Sequence, residues 1–409
     1  MKKIIFLTIG LWGLLTGCQN EEDSGISTIP RKDIVLSRSE MQMTKECTDF
    51  AFRLFSEVNK VKEENFMISP LSASMTLGMI TNGADNKTLE ELKEVLGVGE
   101  TTEEMNLYFN KLLTELSTLD NTTTMQLANS IWIDNSFNIN NEFEDINRKM
   151  YNAEIKSIDF TSPNALSTIN NWFSEKTNGK IKEGLGKISP DDDMYLINAF
   201  HFKGKWKNEF LQSASFNKKF NNEDGSTTLV KMMSQTNEFG YTDNEYFSLA
   251  EFPYGNEAFS MVILLPKQES SLNESLGNLT LENWLTWSSK LDTQELIVNV
   301  PRFELSGKDE LDEAFKNMGI KDAMDKNASD FTRMGTSTFS DRLSLSRFEQ
   351  SSYIEVNENG TEVASGSIGV MGDIIAPPHT SFIVDRPFAF LIKEKSTGVI
   401  LLMGKVVKL

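Results

Sequence analysis

The stretch NENGTEVASGSIGVMGD, from Asn357 to Asp373, decides how this chain is read. It opens in an acidic turn and continues as small, weakly patterned residues. It then meets Ile374-Ile375-Ala376 and the double proline Pro377-Pro378. Apolar β sequence flanks it on both sides, SSYIEV before and TSFIVD after. With no apolar periodicity of its own, the stretch has no hydrophobic reason to stay packed. It reads as an exposed loop carried between two strands.

Working outward, the 409 residues are 39% hydrophobic and 24% charged, enough for one large core or two to three average domains. Gly and Pro are not elevated, which excludes a low-complexity or collagenous chain. The formal charge is −19; loss of Lys2 and Lys3 with a leader leaves 38 basic against 59 acidic residues, or −21. Nucleic acid, which needs a basic footprint, is not an expected partner, and the acidity reads as solubility. With two His, His201 and His379, a multi-histidine zinc site is excluded and a Ser/His or Cys/His catalytic set has almost no raw material. No metal, cofactor or enzymatic activity is expected. Asp191-Asp192-Asp193, after Ser189-Pro190, reads as a solvated turn.

The N-terminus carries Lys2-Lys3 and an apolar run from Ile4 to Leu15, too short to span a membrane as a helix. It ends Leu15-Thr16-Gly17-Cys18, which resembles the bacterial lipobox, where cleavage precedes the Cys and lipid, palmitate included, is attached to its sulfur. Gln19 stands where an Asp would mean inner-membrane retention, and Glu21-Glu22-Asp23 is similar to a surface-export tag. The expectation is an exported lipoprotein of the outer membrane, facing the periplasm or the cell surface. Residues 1–17 are then signal peptide, 18–37 lipidated Cys and polar tether, and 38–409 a single domain. With Cys18 lipidated, Cys47 stands alone, so no internal disulfide forms, and its apolar helical setting makes it a small core residue.

Helical patterns dominate the first half: Thr44–Asn59, a helix from Ser69-Pro70, Thr88–Leu96 ended by Gly97, Asn106–Leu119, Asn140–Tyr151 and Ser167–Thr177, with one strand at Thr123–Asp134. From Met194 the runs MYLINAFHFKGKW, YFSLAEFPY, FSMVILLP and QELIVNVPRFEL read as strands, with one late helix at Asp309–Met318. Helices first and strands later predict an α+β fold with mixed or antiparallel sheets.

Four motifs in order carry a family likeness from about Thr44 to Leu409. They are NFMISPLSASMTLGMITNGADNKT, LINAFHFKGKW, VNENGTEVA and DRPFAFLIKEKSTGVILLMGKV. In all four the chain resembles the serpins. The resemblance implies roughly nine helices, three β-sheets and an exposed reactive-centre loop at about 358–380. It implies a suicide inhibitor: a target serine or cysteine protease cuts the loop, forms a covalent complex with the monomeric inhibitor, and is dragged across the body as the loop inserts into the central sheet. The alternative is a non-inhibitory member acting as a surface binding or carrier lipoprotein.

The resemblance places the hinge at Glu358, Gly360, Thr361, Glu362, Val363, Ala364 and Ser365. Side chains of an inserting strand alternate between core and solvent. If Thr361 points inward, so do Val363, Ser365, Ser367, Gly369 and Met371, while Glu362 stays in water. Val363 is bulkier than the Ala usual in the family, and Gly366, Gly369 and Gly372 lower strand propensity; both bear on the speed of insertion. The family's sheet-opening cluster maps onto Ser69, Ser72, Asn198 and Gln350, the last usually His, with Trp206 beneath the point where insertion begins. Counting from Gly360 places the scissile bond between Ile374 and Ile375, with Asp373 and Met371 as alternative specificity residues. Ile suits an elastase-like or subtilisin-like protease; Arg and Lys are absent from 358–385.

Overall fold

A computed structural model describes residues 28–97, 99, 101–190, 192–337, 343–345, 347–361 and 380–409. Within them, side-chain caps set most helix starts. The helix Arg38–Val61 begins six residues before the periodic stretch seen in sequence, because Ser37 and Glu40 form a capping box. The box of Thr101 and Glu104 likewise advances the next long helix to Thr102–Leu116. Ser69 caps Pro70–Thr81, with Pro70 in the first turn where its missing N–H costs nothing. Asn86–Leu96 stops at Gly97 in the left-handed conformation (φ 67°).

Two expectations fail in the β half. QELIVNVPRFEL is two strands, Asp292–Pro301 and Phe303–Glu310, which belong to different sheets. The chain turns the corner at Arg302, and Pro301 ends the first run by withholding a ladder donor. The late helix begins at Asp312, since Asp309 and Glu310 still pair with Gln350 and Glu349 in a strand ladder.

Nine α-helices and three sheets are present among the described residues. A nine-stranded sheet runs from Phe66–Ile68 to Thr380–Ile383, and a two-stranded piece joins Asn138–Ile139 to Gly335–Thr336. The six-stranded sheet has the order Phe303–Glu310, Glu349–Asn357, Gly360–Thr361, Met194–Lys205, Thr123–Asp134, Glu154–Ile158. One face of it rests on the main core through Phe200, Phe202, Ile354 and Val356. The other carries a second core of Trp132, Ile169, Trp172 and Phe173 beneath the helix Ala165–Lys176. The chain therefore leaves one sheet at Thr361 and rejoins another at Thr380, which pairs in parallel with Leu296.

Candidate functional site

The two-residue strand Gly360–Thr361 sits between the strand it has just left and Met194–Lys205. It is antiparallel to both: Thr361 opposes Val356 on one side and Gly204 on the other. Among the described residues the two flanking strands pair through this insert and not with each other. A further strand continuing downward would be antiparallel to both neighbours, with ladder bonds on both edges.

Packing dictates the residue types at the hinge. A Cβ on Gly360 (φ 145°) would lie 2.0 Å from the Gly204 carbonyl oxygen, so only glycine fits. Thr361 faces inward, fully buried, with its hydroxyl 2.7 Å from the Tyr254 hydroxyl. Burial pushes the Tyr254 phenol well up, so it stays neutral and serves as a hydrogen-bond partner. Trp206 stacks on Tyr254 with ring centroids 4.5 Å apart. Its Nε1 donates to the Asn357 carbonyl at 2.9 Å, and its backbone N–H donates to the Asn359 carbonyl at 3.0 Å. Glu358, 2% exposed, accepts at Oε1 from Arg302 at 2.6 Å and from the Ser215 hydroxyl at 2.5 Å. Burial alone would raise its carboxyl; the bonds from Arg302 and Ser215 outweigh that and hold it below the usual carboxylate value. A cleft of about 720 Å³ opens beside this hinge, lined in part by Lys180, Lys203, Arg302 and Glu355.

A second cluster lies further down the same two strands. Gln350 reads both backbone groups of Ser69, accepting its N–H at 2.7 Å and donating to its carbonyl at 2.9 Å. The Ser69 hydroxyl donates to the Leu401 carbonyl at 2.7 Å and accepts the N–H of Ser72, the cap of the helix Pro70–Thr81. The Ser72 hydroxyl donates to Asn198, whose amide donates to Asn129 at 2.6 Å, and Asn129 donates to the Tyr151 carbonyl at 2.7 Å. One helix start is thus laced to both flanking strands, by Gln350 to one and Asn198 to the other. No side chain in this path from Ser69 to Asn129 titrates.

The structure therefore joins Ser69, Ser72, Asn198 and Gln350 and sets Trp206 apart from them, at the hinge. Sequence reading missed Arg302, Ser215, Tyr254 and Asn129. Of these, only Asn129 left a trace, a polar residue inside an apolar strand run; it lies directly across from Asn198. The outer face is pinned as well. Lys180 lies 4.8 Å above the Tyr353 ring, and the Ser351 hydroxyl donates to the Gly184 carbonyl at 3.2 Å.

Glu362, Val363, Ala364 and Ser365, the residues proposed for cleavage (Met371, Asp373, Ile374, Ile375), and Cys18 lie outside the described residues. The stretch 28–37, read from sequence as tether, already holds to the body. The Ile29 N–H donates to Asn121 at 3.1 Å, the Ile34 N–H donates to Ser396 at 3.0 Å, and Ile34 is buried.

The family profile described as Serpin (serine protease inhibitor) matches residues 45–409. The chain is 32% identical to human (Homo sapiens) leukocyte elastase inhibitor over 377 residues, covering 89% of this chain and 98% of that protein. It is 31% identical to neuroserpin of Gallus gallus, covering 88% and 90%. Among solved structures, native tengpin, a thermophilic serpin, superposes with a TM-score of 0.84 at 29% identity over 94% of this chain and 98% of that one. Thyroxine-binding globulin in complex with thyroxine superposes at 0.80, with 26% identity over 90% and 99%.

Proposed function

The chain belongs to the serpin family, and from that premise we propose that it is a covalent-trapping inhibitor of serine proteases, of elastase-like or subtilisin-like preference. The observation that carries this is the seating of Gly360–Thr361 as the first pair of a strand antiparallel to both neighbours. Cleavage beyond residue 361 frees the loop to extend that strand, gaining about a dozen ladder bonds at ~1 kcal/mol net each. The uncut form is then held kinetically.

Carrying the register onward gives the inserted state its contacts. Residue 362 comes opposite Lys203 and Glu355, and residue 367 comes opposite Asn198 and Gln350. Both flanking strands, counted independently, bring the same residue to the cluster. Glu362 lands on the outer face between Lys203, which attracts it, and Glu355, which repels it. Ser367 lands on the inner face, where its hydroxyl can replace bonds broken as the strands part.

The scissile bond proposed is Ile374–Ile375, with Asp373 and Met371 as the alternative frames. The similarity to a leukocyte elastase inhibitor supports a small apolar specificity pocket in the target. Export as a lipoprotein on Cys18 to the outer membrane is proposed from the leader alone. Mixing residues 19–409 with elastases and with subtilisin should yield a band resistant to denaturant at the summed mass. Clean cleavage with no such band for any of them overturns the proposal. Mass spectrometry of the released C-terminal fragment fixes the frame, which is Ile375 at its start if the count is right.

The second reading, a non-inhibitory carrier, draws on the similarity to the thyroxine-binding globulin complex. Loop cleavage separates the two. An inserting loop raises the unfolding temperature strongly, and a carrier whose loop stays out shows no change.

A further inference from the structure

Eight large apolar side chains are exposed among the described residues. Four of them, Ile29, Val35, Met41 and Leu107, fall on the N-terminal strap, the start of the first helix and the helix to which the strap is tied. The ties are specific. Lys111 donates to the Val35 carbonyl at 2.6 Å and pairs with Glu40 at 2.8 Å, while Lys32 reaches Glu115 at 3.3 Å. Leu107 lies one turn before Lys111 and so shares its helix face.

On the first helix, Arg38, Met41, Gln42 and Lys45 recur at helical spacing and present one face, which borders an open cleft of about 840 Å³. Arg38 and Lys45 make no ion pair among the described residues. Residues 29–46 hold four cations, Arg31, Lys32, Arg38 and Lys45, against Asp33, Glu40 and Glu46, in a chain whose formal charge is −19; Glu46 and Glu104 line the cleft beside Arg38 and Lys45. Exposed apolar side chains interleaved with cations, two of them without an ion pair among the described residues, are the composition of a surface that lies in a lipid interface. No helix among the described residues is long and apolar enough to cross a membrane, so contact would be from the side.

We propose that this face, built from Val35, Arg38, Met41, Lys45 and Leu107, docks on a lipid surface bearing anionic headgroups. The inference rests on the lipid-anchor reading for its geometry. Nine residues, ten Cα–Cα steps, separate Cys18 from Thr28, a reach of at most about 35 Å. The anchored chain therefore emerges onto the body directly at the strap. A single lipid attachment leaves the body free to tumble, and the second, amphipathic contact fixes which side meets the membrane. The acidic run Glu21-Glu22-Asp23 is repelled by the same headgroups, so the cations of the face act without help from the tether.

The test uses residues 19–409 tethered through an N-terminal histidine tag to chelating lipid, in vesicles containing anionic and brominated lipids. This supplies the same proximity whether or not Cys18 is lipidated in the cell. Failure of the anchor reading shows separately, as absence of lipid on Cys18 in cell-derived protein by mass spectrometry. Single-cysteine fluorophores are placed at Met41→Cys, Leu107→Cys, Leu229→Cys and Leu285→Cys. Cys47 does not compete, because it is buried and burial pushes its thiol up to about 12. Quenching at 41 and 107 should exceed that at 229 and 285 at least twofold. Val35→Asp with Arg38→Ser should bring the signal at 107 down to that at 285, with protease trapping unchanged. Equal quenching at all four positions, or a signal at 107 indifferent to those two substitutions, overturns the proposal. So does crosslinking between copies through position 41, which would make the occupant a second copy of this chain.

Discussion

The two ends of the same slot are held by different chemistry. At the hinge the lock is charged and aromatic: Glu358 gripped by Arg302 and Ser215, and Thr361 against Tyr254 stacked on Trp206. At the lower cluster it is a neutral relay of Ser and amide groups from Ser69 through Ser72, Asn198 and Asn129, with Gln350 closing the other side. A charged lock is strong when formed and sensitive to pH and to the loss of one partner. A neutral relay is weaker per bond, but each bond has a substitute when a new hydroxyl arrives. The difference suits the proposed insertion, in which the hinge end would hold the loop's base in place while the lower end opens and reseals.

The largest expected effect breaks the hinge from inside. Thr361→Arg buries a guanidinium against Tyr254 and Gly204, where its desolvation costs several kcal/mol. The first strand pair should be driven out of the sheet already in the uncut protein, so the loop should still be cut but lack a seated start for insertion, and the covalent complex on a denaturing gel should fall below about a tenth of the parent's. Undiminished trapping would mean that the inward face is assigned one residue out of register.

Next comes the lower end. Gln350→Leu leaves the N–H and carbonyl of Ser69 without their partner, a loss of about 2–4 kcal/mol. Thermal unfolding should fall by several degrees, and the uncut protein should lose inhibitory activity faster on storage. A stability equal to the parent's would show that the relay contributes nothing.

Ser367→Leu tests the register itself. The uncut protein should be unaffected, while the rise in unfolding temperature on cleavage should shrink by the equivalent of about 1–3 kcal/mol. The same rise in parent and variant would move the residue that reaches Asn198 and Gln350.

The pH dependence separates the ends by sign. The Glu358 carboxyl is held below its usual value of 4.5, so its contribution is fully present above pH 4.5 and is lost as pH falls through the folded value. Asp309, across the ladder from Gln350, is raised by burial despite its bond to Lys62, so its cost is present above the folded value and is relieved as pH falls through it. Amide protection, corrected for the intrinsic exchange rate, should therefore fall around 357–361 as pH is lowered below 4.5 and not around 308–310. Glu358→Gln should abolish the difference at the hinge.

The smallest effect belongs to the outer face. Lys203→Glu removes the cation that Glu362 meets on insertion and adds repulsion, about 1 kcal/mol at an exposed site. The number of inhibitor molecules consumed per protease trapped should rise a few-fold, and the increase should fade at high salt.

Much of the molecule was legible before any coordinates. The glycine at 360, the Ser69-Pro70 helix start and the order of four motifs are local, and local sequence carries caps, turn residues and side-chain bulk directly. Helix starts were read late at Arg38 and Thr102 because apolar periodicity was followed where capping boxes govern. The corner at Arg302 was hidden inside an unbroken β-like run, and with it the ion pair to Glu358.

From sequence alone came the family likeness and the glycine at 360, since a motif and a turn depend on each residue's own backbone freedom and volume. Only the tertiary structure decided the partners: Arg302 and Ser215 for Glu358, Tyr254 for Thr361, Asn129 for Asn198, and the Asn357 carbonyl for Trp206. These pairs lie 56 to 151 residues apart in the chain. A hydrogen bond depends on distance and angle in space, and no pattern of neighbours along the chain records which distant side chain will complete it.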